Sequence, residues 1–331
     1  MRLWRTGLRA VAMLAAVASL NARAQAEGLP PAPSPAVTAA VGEYGVGDNL
    51  LTVYEKDGQL YLTGRGLDAA ALWQMSPGRY AGTFGEAAFT PDAVTLGGDR
   101  LPRRDVGAET AAEIQAGVKA DPARVRAAAL AATPPVEPPP RTPSDLVSLT
   151  TVDPSIKLDI RYATTNNFMG FPLYERAGAW LQRPAALALA RAARTLRAQG
   201  YGLLIHDGYR PWFVTRMFWD ATPPYAHVFV ADPAQGSRHN RGCAVDLTLY
   251  DLKTGLPVEM TGRYDEMSKR SYADYVGGTS RQRWTRDLLR KAMEAEGFSV
   301  YPEEWWHFDY KDWRDYAIGT ETFSQLAAEG R

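Results

Sequence analysis

The chain has 331 residues, 46% hydrophobic and 22% charged, and its 37 basic residues balance its 37 acidic ones. That composition describes a globular protein of one large or two ordinary domains and excludes a disordered or membrane-embedded chain. The charge balance offers no basic surface to nucleic acid, no glycine-rich phosphate loop is present, and the single cysteine, Cys243, permits no intramolecular disulfide.

At the start, Arg2, Arg5 and Arg9 precede an 11-residue apolar run at 10–20, and Ala22-Arg23-Ala24 fits the small-x-small pattern of a signal-peptidase site. The run is too short to span a bilayer as a helix, and no cysteine follows to carry a lipid. The expectation is a signal peptide over 1–24, cleaved after Ala24, and a soluble, exported, periplasmic product with no membrane span. Removing the four arginines of that segment from 37 leaves 33 basic against 37 acidic residues, a net charge of −4.

Residues 25–39 are rich in Pro, Ala and Ser and read as a flexible lead-in. A β-rich module follows over 40–132. Within it, strands at 50–56 and 59–63 flank Asp57-Gly58, a dipeptide suited to a tight hairpin. Further turn signals at 76–78 and 97–99 predict a small antiparallel sheet ending near Arg104. Residues 108–132 are alanine-rich and predict helix, interrupted at Pro122. The module contains no histidine and no convergent polar set, so a structural or binding appendage is its simplest reading. Residues 133–143, TPPVEPPPRTP, hold six prolines in eleven positions and predict a stiff linker.

From 144 to 331 the pattern alternates. IKLDIRY (156–162) has strand periodicity, and 183–199 predicts a helix with Pro184 in its first turn and Gly200 beyond its last. Strands are predicted at 203–206, 243–250 and 305–310, and a helix at 284–297. Strands separated by helices of uneven length argue an α+β domain. Cys243 reads as a small buried strand residue.

The chemistry concentrates in two stretches. SRHNRGCAVD (237–246) places His239 seven positions before Asp246, and EEWWHFDY (303–310) places Glu304 three positions before His307. Two histidines and a carboxylate leave a fourth tetrahedral position open, which suits a catalytic rather than a structural zinc, and Glu304 is placed to accept a proton from activated water. Spacing alone equally allows the two histidines to be core or surface groups and Glu304 an exposed carboxylate at a strand entrance.

Four motifs go further. SRHNRGCAVDLTLYD (237–251), DGYRP (207–211), IRYATTNNFMG (160–170) and EWWHF (304–308) resemble, in order, the zinc-dependent D-alanyl-D-alanine dipeptidases. The resemblance covers about half of the chain and implies the hedgehog-like metallopeptidase fold, one zinc ion, and a small D,D-dipeptide as substrate. It implies His239, Asp246 and His307 as zinc ligands, Glu304 as general base, and Arg210 as the cation facing the oxyanion of the tetrahedral intermediate. It also implies Asp265, in GRYDEM, as the anchor of the substrate ammonium, with Ser237 in the same pocket. Arg210 could instead form a surface salt bridge with Asp207, and Asp265 could cap a helix. His206 and His227 match no ligand position and read as structural. Trp305 and Trp306 read as core residues or as cleft wall.

The expected activity is hydrolysis of D-alanyl-D-alanine in cell-wall peptide breakdown or scavenging. Two alternatives stand beside it: a D,D-carboxypeptidase acting on peptidoglycan stem peptides, and an inactive, metal-containing wall-binding protein. The oligomeric state is left open.

Overall fold

The computed structural model describes residues 28–47 and 49–330; the signal-peptide expectation for 1–24 lies outside the described residues. A short helix, α1 (Pro35–Ala40), leads into eight strands: β1 (Gly42–Val46), β2 (Asn49–Lys56), β3 (Gln59–Gly64), β4 (Leu67–Ser76), β5 (Arg79–Gly82), β6 (Gly85–Thr90), β7 (Ala93–Leu96) and β8 (Asp99–Arg104). Each pairs antiparallel with the next, and β8 returns to β1 to close a barrel.

Closure follows from the pattern. Alternate positions (Tyr44, Leu51, Val53, Leu60, Leu62, Leu72, Tyr80, Val94, Leu101) are apolar and fill the interior. At Asp57-Gly58 both residues have positive φ, 52° and 82°, the geometry that lets a two-residue turn match strand twist. Closing the sheet also removes exposed edges.

Helices α2 (Val106–Val118) and α3 (Pro122–Ala131) come next. Asp105 and Asp121 cap them by accepting from Ala108 N (3.0 Å) and Arg124 N (2.9 Å). Pro122 therefore starts a second helix, at the N-terminal position where its missing N–H costs nothing. Ile114, Val118 and Ala129 of these helices are buried in the core of the following domain, not in the barrel. The packing division thus falls near Arg104–Asp105, ahead of the proline-rich stretch. Glu137 of that stretch is itself pinned, pairing with Arg241 (2.5 Å) and accepting Ile318 N (2.8 Å).

The second part is α+β. Strands β9 (Leu146–Ser148) and β11 (Trp180–Gln182) form a two-stranded ribbon, with α4 (Leu149–Val152) and β10 (Lys157–Leu158) between them in sequence. Then follow α5 (Arg183–Arg197), β12 (Tyr201–Asp207), α6 (Trp212–Ala221), β13 (Ala244–Asp251), α7 (Ser280–Glu294), β14 (Phe298–Tyr301), β15 (Glu304–Tyr310) and α8 (Phe323–Ala328). The main sheet has the order β10-β12-β13-β15-β14, antiparallel except for β10 against β12.

Several segments differ from the sequence expectation: within the stretch read as a flexible lead-in, α1 forms and packs Val37 and Ala40 into the barrel core. IKLDIRY supplies only a two-residue strand before a 3₁₀ turn at Arg161–Ala163, because Tyr162 is buried among Phe168, Tyr174, Phe218 and Tyr264 rather than alternating across a sheet. The helix α6 was not anticipated. No helix among the described residues is long and apolar enough to cross a membrane.

The connection into β13 turns on Gly242, left-handed at φ 65°. Its carbonyl accepts Gln182 N (2.8 Å), and a Cβ there would run into Leu146. Gly242→Ala should therefore lower the unfolding free energy by at least about 1–2 kcal/mol from the left-handed backbone alone, read as a lower denaturant midpoint at unchanged slope.

Candidate active site

Sheet register builds the site. Asp246 of β13 lies directly opposite His307 of β15, and Asp207 of β12 lies opposite Asp246. Cross-strand partners share a face, so three neighbouring strands present one polar row, with a bulge between Ile205 and Asp207 on β12. His239 reaches this row from the 3₁₀ turn His239–Arg241 just before β13.

His239, Asp246 and His307 are all buried, and among the described residues their ligand atoms converge as a metal-binding group. His239 Nε2 stands 3.2 Å from Asp246 Oδ1 and 3.1 Å from His307 Nδ1, which is 3.1 Å from the same Oδ1. The ligand atoms of a tetrahedral zinc at about 2.0–2.1 Å lie about 3.3 Å apart, close to this triangle.

The outer nitrogens are engaged in the sense that site requires. His239 Nδ1 donates to Gly208 O (2.7 Å) and His307 Nε2 donates to Asp309 Oδ1 (2.9 Å). Each ring thereby turns a lone pair inward, a hallmark of imidazole ligands held by outer partners. Three inward lone pairs crowded at these distances need a cation among them, so the residues fit a divalent metal.

Electrostatics agree. Burial would raise the Asp246 carboxyl, but His239 and His307 outweigh it and hold it far below the usual range. Burial would lower His307, but Asp309 and Asp246 outweigh that and raise it to about 10. The same surplus of carboxylates favours positive charge at this point, and a bound metal would supply it in place of a proton.

Glu304 Oε2 lies 3.6 Å from His307 Nδ1. Burial, reinforced by Asp246 and Asp265, pushes its carboxyl up to about 8 against the pull of His307, and a bound cation would draw that value down. Arg210 is buried and pairs through Nε with Asp207 Oδ2 (2.9 Å), so the Asp207 pair exists but is not at the surface. Its Nη2 lies 3.6 Å from Asp246 Oδ2, and its guanidinium sits 4.7 Å from the Phe218 ring centre. Asp207 also accepts from Tyr174 (2.7 Å) and Gly208 N (3.0 Å), which fixes the arginine's direction.

Asp265 lines the same cleft and caps no helix. Its Oδ1 accepts from Tyr162 (2.8 Å), while Oδ2 is shielded from solvent with no hydrogen-bond partner among the described residues. Burial pushes its carboxyl up to about 7. Ser237 is buried at the cleft, and its Oγ accepts His239 N (3.2 Å), leaving its O–H free to donate inward.

All seven residues singled out in the sequence line one cleft. Its wall includes Trp306, whereas Trp305 lines a separate hollow together with His206, Thr248 and Tyr264. His206 stacks on Tyr264 (4.2 Å) and His227 on Trp219 (3.8 Å), both outside the metal triangle. Sequence reasoning missed Asp309, Asn240 and Tyr264. Asn240 ties the His239 turn to Arg210 O (2.8 Å) and Thr215 Oγ1 (2.9 Å); Tyr264 donates to Asp246 Oδ2 (3.3 Å). Only Asp309 carried a usable signal, its spacing of two from His307 along a strand.

Fold and cleft together are those of a metal-dependent hydrolase, a metallopeptidase. The family model described as peptidase M15, D-ala-D-ala dipeptidase, matches residues 142–325, and the chain belongs to that family. It is 33% identical over 187 residues to the D-alanyl-D-alanine dipeptidase of Escherichia coli strain K12, across 56% of this chain and 95% of that one. It is 38% identical over 175 residues to the D-alanyl-D-alanine dipeptidase of Enterococcus faecalis and 37% to that of Enterococcus faecium, in each case across 47% of this chain and 87% of the relative.

The Asp309 contact yields a prediction. Asp309→Asn should weaken metal binding about 10- to 100-fold while leaving the fold intact, as measured by zinc titration against a competing chelator alongside circular dichroism.

Proposed function

We propose that this chain is a zinc dipeptidase that hydrolyses D-alanyl-D-alanine to two D-alanines. His239, Asp246 and His307 would hold the zinc. When bound, the ion would lower the pKa of its water from 15.7 to about 7 and polarise a carbonyl oxygen. Glu304 accepts the water's proton and returns it to the departing amine. Arg210, oriented by Asp207, faces the oxyanion that develops on the scissile carbonyl, in a buried setting where a fixed charge acts strongly. Ser237 offers a hydroxyl donor to the substrate beside His239.

The observation that carries the dipeptide reading is Asp265 Oδ2, a shielded carboxylate oxygen without a partner in the same cleft as the metal group. A buried polar atom of this kind is costly unless a ligand satisfies it. The free ammonium of a dipeptide supplies a donor and a positive charge one residue from the scissile bond; a longer stem peptide puts a neutral amide there instead. The relatives named as D-alanyl-D-alanine dipeptidases support the same substrate. We place the reaction in the periplasm, on cell-wall-derived peptides, on the strength of the signal-like residues 1–24.

The test is D-alanine release from D-alanyl-D-alanine by the purified protein, with a stem pentapeptide in parallel. Chelator should abolish release, and Glu304→Ala should reduce kcat about 100- to 10,000-fold. Release from the pentapeptide but not from the dipeptide would replace this reading with a D,D-carboxypeptidase.

The Asp265 carboxyl sets a pH dependence. Protonation removes the charge that meets the ammonium, so affinity for the free dipeptide should fall as pH drops through a midpoint at or below about 7. The inhibition constant of N-acetyl-D-alanyl-D-alanine, which has no ammonium, should stay level over that range. Parallel profiles for the two ligands would count against Asp265 as the amino-end anchor.

A further inference from the structure

Asp265 sits on a long irregular stretch between β13 and α7, and it is held at φ 66°. A non-glycine residue in that conformation persists only where its surroundings fix it. Part of those surroundings comes from a stretch of the chain that precedes the family-matched residues 142–325. On one side of Asp265, Arg263 makes two bonds to Asp105, Nη1 to Oδ2 (2.8 Å) and Nη2 to Oδ1 (2.5 Å). On the other side, the buried Glu266 lies against Gly107, so closely that a Cβ on Gly107 would run into the Glu266 side chain.

Glu266 is the knot of this turn. Its Oε2 accepts Arg263 N (2.9 Å), its Oε1 accepts Ser268 Oγ (2.8 Å), and its carbonyl accepts Ser271 Oγ. Moving Glu266 therefore moves the Arg263–Glu266 turn that carries Asp265. The barrel braces the same stretch further on: Tyr275 donates to Glu43 (3.2 Å), Ser280 N donates to Glu55 Oε2 (2.7 Å), and Glu55 N donates to Gly278 O (3.0 Å).

We infer that the first turn of α2, through Asp105 and Gly107, is a clamp on the Arg263–Glu266 turn, making these two positioning residues for recognition of the substrate's free amino end. The inference deepens the dipeptidase reading and rests on Asp265 as the ammonium anchor. It gives a helix start that precedes the family-matched residues a task at the active site, that of fixing where the substrate's first residue can sit. The exposed Asp105–Arg263 pair would contribute little alone. Its two-point geometry and the buried Gly107–Glu266 contact make the arrangement specific.

Gly107→Ala separates this role from mere stability. Alanine is a better helix residue than glycine, and Gly107 does not have positive φ, so α2 itself is not weakened. The added methyl displaces Glu266. The expected result is a KM for D-alanyl-D-alanine raised about tenfold, the scale of a coupling between residues in contact, with kcat within about twofold. Amide hydrogen exchange over residues 262–268 should be faster. Asp105→Asn, which keeps the helix cap but loses the ionic pair, should raise KM in the same direction and by less.

An unchanged KM and unchanged exchange in Gly107→Ala would overturn the clamp, as would a loss confined to kcat. A wild-type protein inactive on the dipeptide would sink the dipeptidase reading instead. The exchange comparison still tests the clamp in that case, because it needs no turnover.

Discussion

The antiparallel register of β13 against β15 is the constraint on which the site depends. It sets Asp246 opposite His307, and because side chains alternate along a strand, a slip of one residue would turn His307 to the face that the fully buried Phe308 now occupies. Everything else is arranged around that pair. The turn at Gly242 delivers His239 to it, Asn240 ties that turn to Arg210, and Asp309, two residues beyond His307 on the same strand face, orients the ring. On the opposite face of the sheet the apolar residues Val245, Leu247 and Phe308 are fully buried. The register is thus held by the core and not by the polar groups it aligns.

That arrangement gathers charge no isolated core would tolerate. Asp207, Asp246, Asp265, Glu304 and Asp309 share one buried region with few cations, Arg210 being the innermost. Burying unpaired carboxylates is expensive, and the protein settles the excess by divergent means. Asp207 is saturated by Arg210, Tyr174 and a backbone N–H. Asp246 takes the histidines. Glu304 and Asp265 are pushed upward by burial, to about 8 and about 7, so that part of their charge is given up at neutral pH. A metal and a substrate ammonium, as proposed here, are the two positive charges that would complete the set.

How much of this could be read from the sequence follows from the range of the interactions. Strands at 243–250 and 305–310 declare themselves by alternation, and the hairpin at Asp57-Gly58 by turn chemistry, because both are local. The proposed ligand set was legible for a different reason: histidines are scarce, with four in the chain, and two of them fall beside acidic residues in motifs. What stayed hidden depends on contacts far apart in sequence. Closure of eight strands into a barrel rests on β1 meeting β8, and Tyr162 leaves its apparent strand because distant aromatic rings surround it. The assignment of α2 and α3 to the second core rests on Ile114, Val118 and Ala129, which are apolar in either environment. No periodicity distinguishes which neighbour will bury them.

The same contrast separates the two tasks of the proposed enzyme. Groups assigned to bond breaking stand on sheet strands or on turns locked to them, where packing fixes positions to a fraction of an ångström. The group assigned to recognising the substrate's amino end stands on an irregular segment whose backbone polar groups must all be satisfied from outside. Loops are where specificity usually resides, because they can change without disturbing the scaffold. A loop that is free to change is also free to move, and an anchor that moves discriminates poorly between an ammonium and an amide. In this chain Asp105 and Gly107 resolve that tension by lending the loop a helix end from outside the family-matched segment. The catalytic row needs no such help, since β12 and β15 already confine it from either side.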